Sequence, residues 1–230
     1  MPIRHLFFDL DRTLWDFRSN SRETLDEIYQ VFNLKEAGVS DPMTFIHTYE
    51  EVNEYMWHLY RINQLSKEEL RYGRFGQALG KLGVRNETLA GEIGDYYIEH
   101  SPKKTNLLDH AFPVLDYLKP KYELHIITNG FEEVQKVKLE NSGLSHYFGE
   151  VITSEMAGCK KPDQRIFEFA LKSSGAEASQ SVMIGDDLTA DIVGARGAGI
   201  SQVYFNPLEE QHNEQPDWEI GCLSELLEIF

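Results

Sequence analysis

The sequence predicts an α/β fold, a parallel sheet with helices on both faces, interrupted after its first strand by a long block of helices. Three observations carry this. The segment "IRHLFFDL" from Ile3 to Leu10, with the apolar run Leu6, Phe7, Phe8 at its centre, opens the chain as a buried strand. From residue 21 to about residue 100 only helical periodicity is present. Beyond that point strand-like and helix-like segments alternate to the end, as in a parallel sheet joined by crossover helices.

Within the helical block, Leu25, Ile28, Tyr29 and Phe32 share one helical face, and Phe45, Tyr49, Val52, Met56, Leu59 and Tyr60 form a longer stripe. Ser66 and Glu69 have the spacing of a capping box and start a third helix. Asn86 is the expected N-cap of a fourth, "NETLAGEIGDYYIEH". The polar, proline-containing "SPKKTN" (101–106) reads as a connector. A helix around Pro113–Leu118 comes next, then a strand over 122–128, a helix over 131–141 closed by Gly143, and a strand over 150–154. A helix over 163–174, a strand over 181–185, a helix over 189–199, a strand over 201–205 and a final helix "LSELLEIF" complete the chain. The first strand belongs with this later sheet. Residues 1–14 and 106–230 are therefore expected to form the core, and residues 15–105 an inserted helical unit. The aromatics Tyr49, Tyr55, Trp57, Tyr60, Tyr72 and Phe75 of that unit read as helix-bundle core rather than as a platform for a stacked base.

A length of 230 residues is ample for one large domain with an insertion, and 41% hydrophobic with 26% charged residues is ordinary globular composition. The net charge of −16 repels polyanions, so no nucleic-acid polymer is expected as a partner. No apolar stretch is long enough for a bilayer and no secretion-signal pattern opens the chain, so no membrane partner is expected. The cysteines, Cys159 and Cys222, stand far apart in dissimilar contexts, which predicts no disulfide and a cytoplasmic location. The same negative charge makes a small anionic substrate a puzzle, since it would need a metal or a placed lysine.

Ligands of open parallel sheets bind beyond the carboxyl ends of the strands. Those ends carry Asp9 and Asp11, then Thr128-Asn129-Gly130, then Lys160 and Lys161 in "GCKKPD", and finally Asp186, Asp187 and Asp191 in "GDDLTAD". Each alone has a plain explanation: a strand-end turn for Asp9 and Asp11, a turn residue in Thr128, a solvated Lys161, helix caps in Asp186 and Asp187. Together, acids, a hydroxyl and a lysine at one sheet edge suit a hard divalent cation plus a phosphate. Magnesium takes oxygen ligands, few of them from protein, and offsets clustered carboxylates. A lysine gives phosphate a point charge, and N–H groups at a helix start can cradle it. Metal and lysine would resolve the charge puzzle.

With these four groups in this order, the chain resembles the haloacid dehalogenase-like hydrolase superfamily along its whole length. "DLDRTL" is similar to the family's first motif, Thr128 to its second, "KKPD" to its third and "GDDLTAD" to its fourth. The stretches "TNGFEEVQKVKLENSGL" and "KPDQRIF" look most like the pyrimidine 5′-nucleotidase branch. The resemblance implies a Rossmann-like core with a small α-helical cap, and a magnesium-dependent phosphatase of small phosphate monoesters, a nucleoside 5′-monophosphate being the favoured substrate. It implies Asp9 as nucleophile forming an aspartyl-phosphate, and Asp11 as acid for the leaving oxygen and then base for water. Asp9, Asp186 and the Asp11 carbonyl would hold magnesium, with Asp187 and Asp191 behind them, although Asp186 and Asp187 could exchange roles. Thr128, Asn129, Gly130 and Lys161 would bind phosphate, Lys161 being preferred to Lys160. The protein is expected to act on a small phosphorylated metabolite, as a monomer or homodimer. One departure is Arg12, where many relatives carry Gly or a small acid; its side chain is expected to point outward. The presence of Asp11 favours phosphoryl chemistry over carbon–halogen cleavage. A phosphosugar mutase or sugar phosphatase shares this core, and a phospho-accepting signalling module gathers similar residues. The helical insertion and the acids on the fourth strand disfavour the module.

Overall fold

The computed structural model describes residues 2–230. The chain divides into two compact units, Met1–Phe17 with Thr105–Phe230, and Arg18–Lys104.

In the first unit, six strands form one parallel sheet: β1 (His5–Phe8), β2 (Glu123–Thr128), β3 (Glu150–Thr153), β4 (Ser181–Gly185), β5 (Ser201–Phe205) and β6 (Trp218–Ile220). Their spatial order is β3-β2-β1-β4-β5-β6. Chain direction across the sheet therefore reverses between β1 and β4, the place where such sheets open a crevice for ligands. In register, Phe8 lies between Ile126 and Ile184.

Strand alternation sorts the apolar residues onto two faces. Leu6, Phe8, Leu124, Ile126, Val182, Ile184 and Val203 pack against α5 (Ala111–Leu118) through Val114, Leu115 and Leu118, against Leu139 of α6 (Glu132–Asn141), and against Leu226 of α10 (Leu226–Ile229). Phe7, Ile127, Ile152 and Met183 face α8 (Gln164–Ser174) through Ile166, Phe167 and Ala170, and Ala195 of α9 (Gly194–Gly197). Each fully buried Phe or Leu of these faces contributes about 1.5–3 kcal/mol. This burial on both sides is why the central strands read as largely apolar runs rather than as alternations.

Several boundaries differ from the sequence expectation. The first strand is His5–Phe8 rather than 3–10, because Asp9 and Leu10 turn away into a loop closed by bonds from the Leu14 and Trp15 N–H groups to the Leu10 carbonyl. The helix expected over 189–199 is a π-helical turn, Leu188–Val193, followed by α9. The final helix begins as a 3₁₀ turn, Leu223–Glu225. A short helix, α7 (Ser154–Ala157), and strand β6 were not expected.

The second unit holds most of α1 (Phe17–Val31), together with α2 (Pro42–Arg61), α3 (Lys67–Lys81) and α4 (Glu87–His100). Asp41, Ser66 and Asn86 accept bonds from backbone N–H groups at the starts of α2, α3 and α4, and Ser66 with Glu69 forms the full capping box. Tyr49, Tyr60 and Phe75 are buried as expected of core, whereas Tyr55 and Tyr72 are exposed. No helix is long and apolar enough to cross a membrane among the described residues.

Candidate active site

The loops leaving β1, β2 and β4, and the segment beyond β3, meet through one side chain. Lys161 is buried, and its ammonium donates to Asp9 Oδ1 at 2.6 Å, Asp191 Oδ1 at 2.6 Å and the Ile127 carbonyl at 2.7 Å. All three of its protons are thus committed. Burial by itself would pull the lysine pKa down, but the Asp191 and Asp9 carboxylates outweigh it and hold the ammonium above the ordinary lysine value. The neighbouring Lys160 is half-buried, and burial pulls its pKa down.

The carboxylates answer in the opposite sense. Burial pushes Asp9 well above the usual carboxylate range; Lys161 opposes this, while Asp191, Asp186 and Asp11 add to it. Burial, then Asp191, raises Asp186 to about 7, against Arg12 and a hydrogen bond donated by Thr13 Oγ1 to Asp186 Oδ1 at 3.0 Å. Asp191 is raised by burial too, with Lys161 opposing. One buried cation is therefore shared among more buried carboxylates than it can neutralise.

Local chain geometry explains how these groups come so close. Asp191 sits in the π-helical turn, where its Oδ2 accepts the Asp187 N–H at 3.0 Å. Gly185 permits this approach, since a Cβ there would lie 2.2 Å from Asp191 Oδ2. Asp187 accepts bonds from the Thr189 and Ala190 N–H groups, at 3.0 and 2.8 Å, and so caps the turn. Asp186 is free of that duty. Arg12 has φ +68°, the left-handed region where Gly is at ease, which accounts physically for the small residues expected at this position. Its side chain is exposed as expected, with the guanidinium over the Phe17 ring at 5.4 Å.

Thr128 is buried at the end of β2, and its hydroxyl accepts the Gly130 N–H at 3.0 Å. The Asn129 side chain grips the lysine loop, donating to the Lys161 carbonyl at 3.0 Å and accepting the Lys161 N–H at 2.8 Å. The side-chain amide of Asn129 thus fixes the lysine backbone, while the phosphate expected at Thr128-Asn129-Gly130 would meet main-chain N–H groups.

Asp9, Thr128, Lys161, Asp186, Asp187 and Asp191 thus gather at the carboxyl edge of the sheet. Asp11 joins them through α6. Lys138 Nζ donates to Asp11 Oδ1 at 2.5 Å, and Gln135 Nε2 donates to both Asp11 Oδ2, at 2.8 Å, and Thr128 Oγ1, at 2.7 Å. Neither α6 residue was singled out from sequence. The sequence offers no signal for them, because Gln135 and Lys138 are buried where their apolar neighbours Val134 and Val137 are only half-buried.

A separate group, His5, Glu123 and His125, has donor atoms within 4.8 Å of one another. It lies at the amino ends of β1 and β2, away from Asp9, and its nitrogen donors are not a magnesium set. Burial, helped by His5, lowers His125 to about 4. His125 Nε2 meets His5 Nδ1 at 3.2 Å, while its buried Nδ1 has no partner, so the bond that normally orients a ligating imidazole is lacking.

A family model of haloacid dehalogenase-like hydrolases matches residues 3–199. The pyrimidine 5′-nucleotidase PynA of Streptococcus pneumoniae is 32% identical over 100% of this chain and 96% of its own length. The pyrimidine 5′-nucleotidase YjjG of Escherichia coli is 29% identical over 98% and 96%. The crystal structure of the putative HAD-hydrolase YfnB from Bacillus subtilis, bound to magnesium, superimposes with a TM-score of 0.90 at 27% identity, covering 100% of this chain and 99% of that one. The chain belongs to the haloacid dehalogenase-like hydrolases.

Proposed function

We propose that this haloacid dehalogenase-like hydrolase is a magnesium-dependent phosphatase of small phosphate monoesters, nucleoside 5′-monophosphates foremost, working through an aspartyl-phosphate on Asp9. The observation that carries the reading is the Lys161 ammonium bonded to Asp9 and Asp191 beside Asp186, at the sheet's switch point. The nucleotide preference rests on the likeness to PynA and YjjG.

The donor chemistry fits magnesium. Asp9 and Asp186 are raised by burial and by neighbouring carboxylates, an excess of hard, negatively charged oxygen that a divalent cation relieves. Asp9, Asp186 and the Asp11 carbonyl would hold the ion. Asp186 is preferred to Asp187, whose carboxylate is engaged in capping the following turn. When bound, the ion supplies charge neutralisation and polarises a phosphoryl oxygen.

This chain's own residues supply the rest. Lys161 fixes one oxygen of Asp9, leaving the other to attack phosphorus. Phosphate oxygens would bind at Thr128 and take over the Gly130 N–H that now donates to the threonine hydroxyl, with Lys161 as the adjacent positive charge. Asp191 and Asp187 keep the lysine and the turn in place. Asp11 protonates the leaving oxygen and then accepts a proton from the attacking water. The helical insertion, residues 15–105 by the sequence reading, is assigned the choice of leaving group. The two free cysteines, Cys159 and Cys222, accord with a reducing cytoplasm.

The test is phosphate release from a panel of nucleotides, sugar phosphates and aryl phosphates, with magnesium and with excess chelator. Turnover that needs magnesium and favours pyrimidine nucleotides supports the reading. Full turnover in chelator overturns the metal assignment, and no release from any ester overturns the phosphatase.

A further inference from the structure

An amphipathic helix normally buries its apolar stripe, yet α6 buries Gln135 and Lys138 as well as Leu139. Lysine is almost never fully buried unless paired, and the partner here is Asp11. Lys138 donates to one carboxylate oxygen at 2.5 Å and Gln135 to the other at 2.8 Å. The lysine is also held from the side by aromatic faces, with Nζ at 4.3 Å from the Trp15 ring centroid and 5.8 Å from that of Phe17. Gln135 ties the assembly to the phosphate end through Thr128 Oγ1 at 2.7 Å. Gly130 makes this possible, because a Cβ there would stand 1.9 Å from Gln135 Nε2.

Both oxygens of Asp11 thus accept hydrogen bonds from fixed donors, which sets the direction in which the carboxylate faces. We propose that Lys138 and Gln135 are positioning residues that orient Asp11 for the second half of the reaction, the hydrolysis of phosphorylated Asp9. The inference rests on the phosphatase reading above and extends it to α6. In this step a water oxygen attacks phosphorus, and the bond from phosphorus to the Asp9 oxygen breaks. Its electron pair returns to Asp9 as carboxylate, the water's proton passes to Asp11, and inorganic phosphate leaves. In the first half, Asp11 has to supply a proton only when the leaving group is a poor one. An aryl alcohol departs without that help, so an aryl phosphate isolates the second half.

The experiment uses the full-length protein with p-nitrophenyl phosphate and magnesium, comparing wild type with Lys138→Met, Gln135→Met and Lys138→Arg in steady state and by rapid mixing. For both methionine variants kcat should fall roughly tenfold to a hundredfold, the scale of a mispositioned general base. Their kcat/KM should stay within about twofold, because it reports only steps through Asp9 phosphorylation, so KM falls with kcat. A burst of about one p-nitrophenol per enzyme should precede the slow phase, as expected when a covalent intermediate accumulates. Lys138→Arg should recover most of kcat and lose the burst, because its guanidinium again donates to Asp11. A merely structural role would lower kcat and kcat/KM together, without a burst and without rescue, and that result overturns the inference, as does an unchanged kcat. Gln135→Met removes no charge and carries the same test if Lys138→Met fails to fold. A wild type that releases no p-nitrophenol refutes the phosphatase reading itself, which separates that failure from this one.

Discussion

Lys161 and Arg74 are both buried cations, one in each compact unit, and their charges are met in opposite ways. Lys161 is met by two carboxylates and a carbonyl, each within 2.7 Å. Arg74 is met by the Asn53 amide oxygen at 2.9 Å and by the faces of Tyr49, Phe75 and Tyr97, with ring centroids 5.9, 5.9 and 5.3 Å away. Directional bonds to charged oxygens fix where a reacting group sits. Contacts with aromatic faces are softer in direction and act as packing. The contrast teaches where to look for chemistry: a buried cation bonded to carboxylates, as Lys161 and Lys138 are, marks a site, whereas one met by an amide oxygen and rings marks a core.

The sharpest way to break the comparison is to neutralise each cation. Lys161→Met leaves Asp9 and Asp191 facing each other without compensation, so it should abolish turnover and cost roughly 3–5 kcal/mol of stability, the usual result of removing one partner of a buried pair. Adding Asp191→Asn should return part of that stability and none of the activity, because the two residues share one network. Denaturant unfolding and p-nitrophenyl phosphate assays read both quantities. If Lys161→Met keeps wild-type activity, the lysine has been misread.

A second effect follows from Asp186, raised from 3.8 to about 7. A carboxyl whose folded pKa lies above its unfolded value contributes stability below about pH 4 and loses it as pH rises through about 7. In metal-free protein, Asp186→Asn removes that loss. It should match wild type near pH 4 and melt higher than wild type at pH 8, by a margin that magnesium shrinks. A difference in melting temperature that does not grow with pH would contradict the electrostatic picture.

The smallest effect belongs to Arg74. Arg74→Met should cost about 1–3 kcal/mol, the scale of a lost buried hydrogen bond and its ring contacts, while hydrolysis of p-nitrophenyl phosphate stays close to wild type. Loss of that activity from a well-folded variant would mean that the second unit carries chemistry too.

Much of the sheet was legible because parallel strands buried on both faces are predominantly apolar, as in Val182–Gly185 and, His125 and Thr128 apart, in Leu124–Thr128. Asp9 and Asp186 stand out because each directly follows such a strand at its carboxyl end, and Lys161 because it lies in the polar segment that the chain enters beyond β3. Strand β6 was missed for the converse reason. It is three residues long, and two of them, Trp218 and Glu219, are exposed, so neither an apolar run nor an alternation announces it. The break into a π-helical turn at Leu188–Val193 leaves the apolar spacing of the segment almost unchanged, although it is what brings Asp191 within reach of Lys161. Gln135 and Lys138 escaped because helical patterns are read from apolar residues, and a buried polar pair registers there only as solvent-facing positions. Asp186 and Asp187 are equivalent in sequence. The cap bonds from Thr189 and Ala190 distinguish them.

The central claim is that Asp9 becomes covalently phosphorylated. Its most direct test is acid quenching of the full-length enzyme during steady-state turnover of an aryl phosphate with magnesium, followed by proteolysis and mass spectrometry of the N-terminal peptide. Phosphate should be found on Asp9, in greater amount in Lys138→Met than in wild type, and nowhere in Asp9→Asn, which should be inactive. Continued turnover by Asp9→Asn, or phosphate carried on a different residue, would contradict the account.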